Sequence, residues 1–271
     1  SDFVNILYCG DGNITDGIFM SALSLAKNTD EKLDIFILTA GVSERNCPIP
    51  ESFAEKIEKK INEKNRESKV FLFDITEIFE KHLPTANLET RFTPLCMLRL
   101  YADLLPEIPD RILYLDSDVL CRKDFSELYY SDFCGSEIMG VADRYGKWFF
   151  GNILKHDYFN SGVLLLNMAK IRENKTFEKC RTMCCDKKMF MPDQSALNKI
   201  AKKKKIPVCF NNQGKIKNDT VFKHFSTYFE FFPYFKPITI KPWDEKGLHE
   251  KLKITEFDDI LAELKKEKTY E

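Results

Sequence analysis

The chain carries almost no excess of either charge: 41 lysines and arginines stand against 42 aspartates and glutamates, a formal −1. That balance argues against a global attraction to nucleic acid or to an anionic membrane. No apolar run approaches the roughly 20 residues of a membrane-spanning helix. A leader-type segment is not visible either, because a strand pattern begins at Phe3, and the chain reads as cytoplasmic. There is no internal repeat, low-complexity tract or clear linker. Paired cysteine motifs are missing too. The nine cysteines are an odd number, and several, such as Cys9, Cys96 and Cys209, lie in apolar segments. That suits buried free thiols in a reducing compartment better than a disulfide framework. Cys180, Cys184 and Cys185 have no Cys-x-x-Cys spacing and no neighbouring His, which argues against zinc.

What is present describes an ordinary globular domain. The 271 residues are 44% apolar and 31% charged, enough for a substantial core, and 23 Phe with 10 Tyr make the core or a cleft rich in rings. Strand-like runs cover Val4–Cys9, Leu33–Thr39, Lys69–Ile75, Arg111–Leu115, Ile138–Ala142, Val163–Asn167 and Ile206–Phe210. Helical patterns lie between them: Ile18, Ala22 and Leu25, then Phe53, Ile57 and Ile61. Thr15 or Asp16 is placed to cap the first helix, and Pro94 to open one over Leu95–Leu104. Such alternation predicts an α/β fold with a mainly parallel sheet covered by helices. Ligands of these sheets bind beyond the carboxyl ends of the strands.

One strand end stands out. The apolar Arg111–Leu115 runs into Asp116-Ser117-Asp118. Positions i and i+2 of an extended chain share a face, so both carboxylates aim at one point. Two acids there repel each other and lose solvation. A hard divalent cation removes both problems, because Mg²⁺ or Mn²⁺ prefers carboxylate and diphosphate oxygens. An arbitrary Asp-x-Asp is a solvated turn; the buried-type strand in front favours the metal.

Further segments belong at the same end of the sheet. Gly10-Asp11-Gly12-Asn13 is a tight loop after the first strand, without the Gly-x-x-Gly spacing of a phosphate cradle. Asp143 follows Gly140-Val141-Ala142. Phe159-Asn160-Ser161-Gly162 sets two hydrogen-bonding side chains at a strand start, and Pro192-Asp193-Gln194 opens a helix. His224 follows a polar loop, and from spacing alone it reads as structural.

Together these pieces resemble glycosyltransferase family 8, the retaining enzymes related to bacterial lipopolysaccharide galactosyl- and glucosyltransferases and to glycogenin. The similarity runs from about Val4 to Trp243. It rests on Ile6 to Asn13, Met97-Leu98-Arg99-Leu100-Tyr101, Tyr114 to Asp118, Phe159 to Val163, Pro192-Asp193-Gln194 with Leu197-Asn198, and His224 with Lys241-Pro242-Trp243. It implies a Rossmann-like GT-A domain over residues 1–243, followed by an amphipathic helical tail over 244–271. It also implies transfer of glucose or galactose from UDP-glucose or UDP-galactose to a hydroxyl of a glycan or glycolipid, at the cytoplasmic side and with peripheral membrane contact, in cell-surface polysaccharide or lipopolysaccharide synthesis.

The implied roles follow residue by residue. Asp116, Asp118 and His224 hold Mn²⁺ or Mg²⁺, and an imidazole beside two carboxylates suits Mn²⁺ better. Asp11 and Asn13 face the uridine, with Cys9 and Ser117 also against the nucleotide and Lys241 on the diphosphate. Arg99 bridges the sugar and the Asp-x-Asp loop. Asp116, Asp143, Asn160, Ser161, Asp193 and Gln194 line the hexose, the last two also carrying the chemistry.

Two departures accompany the match. An aromatic insertion, Phe225 to Ile240, separates His224 from Lys241, so the diphosphate lysine is either Lys241 or Lys236. The tail, with nine acids against six lysines, lacks the basic character of a membrane anchor. Two other classes compete with the transferase. A dehalogenase-type phosphatase also uses Asp-x-Asp after a strand, but near the start of its domain and with Thr or Val where Leu120 stands. A non-catalytic nucleotide-sugar-binding protein is disfavoured by the complete residue set.

Overall fold

The computed structural model of the chain describes residues 3–88, 94–146 and 157–270. Six of the seven expected runs become strands, and with three further ones they give β1 (Phe3–Gly10), β2 (Lys32–Thr39), β3 (Lys69–Asp74), β4 (Arg111–Leu115), β5 (Val119–Cys121), β6 (Ile138–Ala142), β7 (Phe159–Asn167), β8 (Lys203–Lys205) and β9 (Phe222–His224). Seven of them form one sheet in the order β3-β2-β1-β4-β7-β6-β8. β7 runs antiparallel to β4 and β6, and every other neighbouring pair is parallel. The result is a mixed, mainly parallel α/β sheet.

Alternation along β1 divides the interior into two cores. Val4, Ile6 and Tyr8 enter one cluster and Leu7 the other, as the two faces of a strand require. The first cluster takes helix Thr15–Lys27, whose residues from Gly17 to Ala26 are all buried. Helix Asp258–Thr269 lies against the same cluster through Ile260, Leu261 and Leu264. Burying three aliphatic side chains of that kind stabilises the fold by about 1.5–3 kcal/mol each. Ion pairs Lys27–Asp259 and Lys268–Asp16, each at 2.5 Å, flank that contact.

Several local expectations are corrected. Ile206–Phe210 is not a strand: Pro207 removes a ladder donor, and Val208–Phe210 forms a 3-10 turn. The strand is the lysine run itself, Lys203–Lys205, paired parallel with Ile138–Gly140. Lysine suits that edge position, since its charge blocks further strand pairing. Leu95–Leu104 is helical, but as a 3-10 helix spanning Pro94–Leu104. Helix Thr15–Lys27 has Ile14 at its cap position, because the 3-10 turn Gly12–Ile14 runs straight into it. All nine cysteines are free, yet Cys47, Cys96 and Cys134 are exposed instead of buried. The Trp148-Phe149-Phe150 segment lies outside the described residues.

Candidate active site

The carboxyl end of β4 is where the elements converge. The Asp116 amide donates to the Gly162 carbonyl at 2.8 Å, because antiparallel β7 starts where β4 ends. That reversal puts Asn160 and Ser161 at the carboxyl end of the sheet although they open their strand. Past Asp118 the chain enters β5, which pairs antiparallel with β9 so that Val119 faces His224. A short ladder thus carries the histidine to the acids. His224 Nε2 lies 3.2 Å from Asp118 Oδ1 and 3.6 Å from Asp116 Oδ2. One ligand atom from each of the three lies within 4.8 Å of the others.

The imidazole is oriented from behind. Its Nδ1 faces Asn211 Oδ1 at 3.1 Å, which leaves Nε2 aimed at the carboxylates when Nδ1 carries the proton. Asn211 is fixed in turn through Nδ2 to Asn160 Oδ1 at 2.9 Å. A histidine locked through its second nitrogen is the usual arrangement of a metal ligand. The donor set of two carboxylates and one imidazole therefore fits a divalent cation and leaves coordination positions for ligand oxygens.

Electrostatics divide the two acids. Burial raises the Asp116 carboxyl above its ordinary range; Arg99 opposes this and the like charge of Asp118 adds to it. Burial acts on Asp118 in the same sense, but His224 and Lys241 outweigh it and hold that carboxyl well below the usual carboxylate range. His224 shows the counterpart: burial lowers it, and Asp118 outweighs burial, so its pKa is raised. Lys241 Nζ reaches Asp118 Oδ2 at 2.5 Å. Lys236 is elsewhere, exposed on an outer hairpin and paired with Glu230 at 3.4 Å.

Beside the triad lies a second network, whose Arg99, Ser161, Asp193 and Gln194 are buried and whose Asp143 is half-buried. Arg99 Nε donates to Asp193 Oδ2 at 3.0 Å, its Nη2 to the same oxygen, and its Nη1 to the Ser161 carbonyl at 2.5 Å. The guanidinium stacks over the Tyr114 ring at 4.3 Å and stands 4.0 Å from Asp116. Gln194 Oε1 accepts from the Ser161 amide at 2.9 Å and its hydroxyl at 3.0 Å, while Nε2 points to Asp143 Oδ2 at 3.4 Å. Asn160 Nδ2 donates to the same Asp143 oxygen at 3.0 Å.

Both sets open on one cleft of about 900 Å³, near the upper end of the usual size for a small-molecule site. Cys9, Asp11, Arg99, Ser117, Asp143, Asn160, Ser161, Asp193 and Gln194 line it, together with the triad and Lys241. Asn13 is the exception among the sequence candidates. It is exposed, and its amide donates to Asp11 Oδ2 at 3.1 Å and to the Arg45 carbonyl at 3.0 Å.

Sequence reasoning did not assign three residues that the geometry brings in. Tyr114 donates to Asp116 Oδ1 at 2.6 Å, which a period-2 reading of β4 could have signalled, since it lies two before Asp116. Asn211 had no signal, because its role depends on a fold contact. Gly162 had one, a glycine before a strand. A Cβ there would stand 2.3 Å from His224 Cε1 and 2.6 Å from its Nδ1. Gly162→Ala is therefore expected to turn the imidazole off its seat and weaken Mn²⁺ binding by about tenfold or more, the scale seen when a ligand's outer partner is lost. Titration followed by electron paramagnetic resonance checks this, and an unchanged affinity would remove His224 from the ligand set.

A mixed sheet that gathers an Asp-x-Asp pair, a remote histidine and a buried Arg–Asp–Gln network at one end defines a GT-A glycosyltransferase domain. The chain belongs to glycosyltransferase family 8, whose sequence model matches residues 5–247. The lipopolysaccharide 1,2-glucosyltransferase of Escherichia coli K12 is 29% identical over 212 residues, 74% of this chain and 59% of that protein. The lipopolysaccharide 1,3-galactosyltransferase of Salmonella typhimurium LT2 is 26% identical over 267 residues, 92% of this chain and 75% of that protein. The chain thus spans less than two thirds of the glucosyltransferase's length. Galactosyltransferase LgtC, solved in complex with donor and acceptor sugar analogues, has the same fold, with a TM-score of 0.69 at 19% identity over 96% of each chain. Among the described residues, no helix is long and apolar enough to cross a membrane.

Proposed function

We propose that this protein transfers a hexose, glucose or galactose, from a UDP-sugar to a hydroxyl of a glycan or glycolipid, with retained anomeric configuration. The observation that carries the reading is the convergence of Asp116, Asp118, His224 and Lys241 on one cleft that Arg99, Asp193 and Gln194 also line. Asp116, Asp118 and His224 would hold Mn²⁺ or Mg²⁺. Such an ion supplies Lewis-acid neutralisation of the charge that develops on a departing diphosphate. Lys241 brings a further positive charge to the same end, and preorganised charge at the leaving group is the largest electrostatic contribution in reactions of this kind.

The sugar side needs the opposite sign, because an oxocarbenium-like transition state spreads positive charge over the ring. Asp193 and Gln194 are placed for that task. Neither is poised as a nucleophile: Arg99 donates twice to one oxygen of the Asp193 carboxylate, and Gln194 Oε1 already accepts two hydrogen bonds from Ser161. This favours front-face departure and attack over a double displacement. Asp143 and Asn160, tied to each other and to Gln194, would hold ring hydroxyls. Asp11, Cys9 and Ser117 would meet the nucleoside.

Thermal denaturation tests the donor assignment. Addition of UDP-glucose or UDP-galactose with Mn²⁺ is expected to raise the midpoint by several degrees, since a ligand at about 100 times its Kd adds ~2.7 kcal/mol. EDTA is expected to remove the shift. A midpoint unmoved by any UDP-sugar with Mn²⁺ would sink the reading.

A further inference from the structure

The proposed mechanism leaves part of the cleft lining without a task. The insertion between His224 and Lys241 folds as β10 (Tyr228–Glu230) and β11 (Lys236–Ile238), an antiparallel pair outside the main sheet. It departs from the family match, and no step of the mechanism falls on it. It nevertheless lines the cleft with Ser226, Thr227, Phe229, Phe235 and Pro237. None of the five is charged.

The rings form a fixed platform. Phe235 stacks on Phe229 at 5.3 Å with the two planes 7° apart. Phe229 meets Tyr145, another lining residue, edge-on at 4.9 Å, and its amide donates to the Tyr145 hydroxyl at 3.2 Å. Phe235 is thus backed by one ring and still 61% exposed. Hydrogen bonds tie this platform to the sugar side of the site. The Tyr145 amide donates to Asp143 Oδ1 at 2.9 Å. The other Asp143 oxygen accepts from Asn160 at 3.0 Å and faces Gln194 Nε2 at 3.4 Å. The charges of the hairpin are occupied with one another: Glu230 pairs with Lys236 at 3.4 Å and with Lys251 at 2.9 Å.

We infer that Phe235, held by Phe229 and Tyr145, is the stacking platform for a neutral hexopyranose unit of the acceptor glycan. A pyranose with equatorial substituents carries its axial C–H bonds on two flat, apolar faces. Laying one of them on an exposed ring takes both surfaces out of water. The negative face of the ring also attracts the polarised C–H bonds. Sugar hydroxyls need a few polar neighbours around such a contact, and Ser226 and Thr227 supply them in the same cleft. An uncharged stretch of lining selects a neutral sugar over an acidic or phosphorylated one, whose charge would lose water without gaining a partner. The tie through Tyr145 to Asp143 and Gln194 sets the platform beside the groups proposed to hold the donor hexose. A unit stacked there is the one that meets the departing sugar. Its role as acceptor rests on the proposed function; the stacking of a pyranose on Phe235 does not.

Saturation-transfer NMR of the full chain with methyl β-D-glucopyranoside, in the presence of UDP and Mn²⁺, tests the contact. The parent is expected to saturate the axial protons of one sugar face more than the methoxy group. Phe235→Ala removes a ring that stands mostly in solvent, and it is expected to lower that signal about fivefold, the scale of a lost ring contact. Phe235→Trp keeps a stacking face and is expected to restore the signal. The denaturation midpoint shift given by a UDP-hexose with Mn²⁺ is expected to be the same in the parent and in F235A. No saturation in the parent overturns the inference, as does an F235A signal equal to the parent's or an F235W signal as low as that of F235A. A donor shift that falls together with the glucoside signal in F235A assigns the ring to the donor and also overturns it. A parent that no UDP-hexose stabilises sinks the proposed transfer instead, while the saturation result still decides the contact.

Discussion

Asp118→Asn is expected to reduce UDP release from a UDP-hexose with Mn²⁺ by about a thousandfold, the upper range for losing one preorganised charge-stabilising group. The substitution keeps the shape and removes the charge. Asp118 is the hub of the site: His224 stands 3.2 Å from one of its oxygens and Lys241 2.5 Å from the other. An amide cannot offset either cation, and it is a weak ligand for a hard one. The variant is also expected to show the same denaturation midpoint with Mn²⁺ as with EDTA. Turnover within about tenfold of the parent would mean that Asp118 does not ligate the cation, and the proposed site would fail with it.

Arg99→Met is expected to be the most destabilising single change near the cleft. Arg99 is 4% exposed and Asp193 5%, and the guanidinium fork is the carboxylate's partner. Removing one member of a buried ion pair strands the other charge, a loss of about 3–5 kcal/mol. At ~2–4 °C per kcal/mol for a domain of this size, the midpoint should fall by roughly 6–20 °C. The double variant R99M/D193N separates the causes. If the stranded carboxylate is the reason, the double variant is more stable than R99M alone, although activity stays lost. Equal stability of the two would place the cost in lost packing against Tyr114, whose ring lies 4.3 Å from the guanidinium. Differential scanning calorimetry of the three proteins decides between them.

Much of this was visible in the chain before any coordinates. The Asp116-Ser117-Asp118 strand end, the alternation of strands and helices and the order of the site segments all depend on residues close in sequence, where backbone period and burial leave a local trace. Lys203–Lys205 shows no strand pattern for an instructive reason. An edge strand needs backbone pairing on one side only, so its side chains remain polar and its sequence looks like a solvated run. Asn211 was invisible for a different reason: nothing local marks an asparagine whose oxygen meets a histidine 13 residues on.

The sequence by itself determined the α/β class and the carboxylate pair at the end of β4, and its resemblance to the family named the residues proposed to meet a cation and a sugar. Only the tertiary structure decided how they are assembled. It joined Lys241 to Asp118 across 123 residues and placed Lys236 on the outer hairpin. It closed Arg99 on Asp193 across 94 residues, and it tied the Asn13 side chain to Asp11 and to the Arg45 carbonyl. The physical reason is separation along the chain. Local pattern sets which face a side chain takes on its own element, but which distant charges share a buried volume depends on strand order, and here that order is set by antiparallel β7 and by the short β5–β9 ladder.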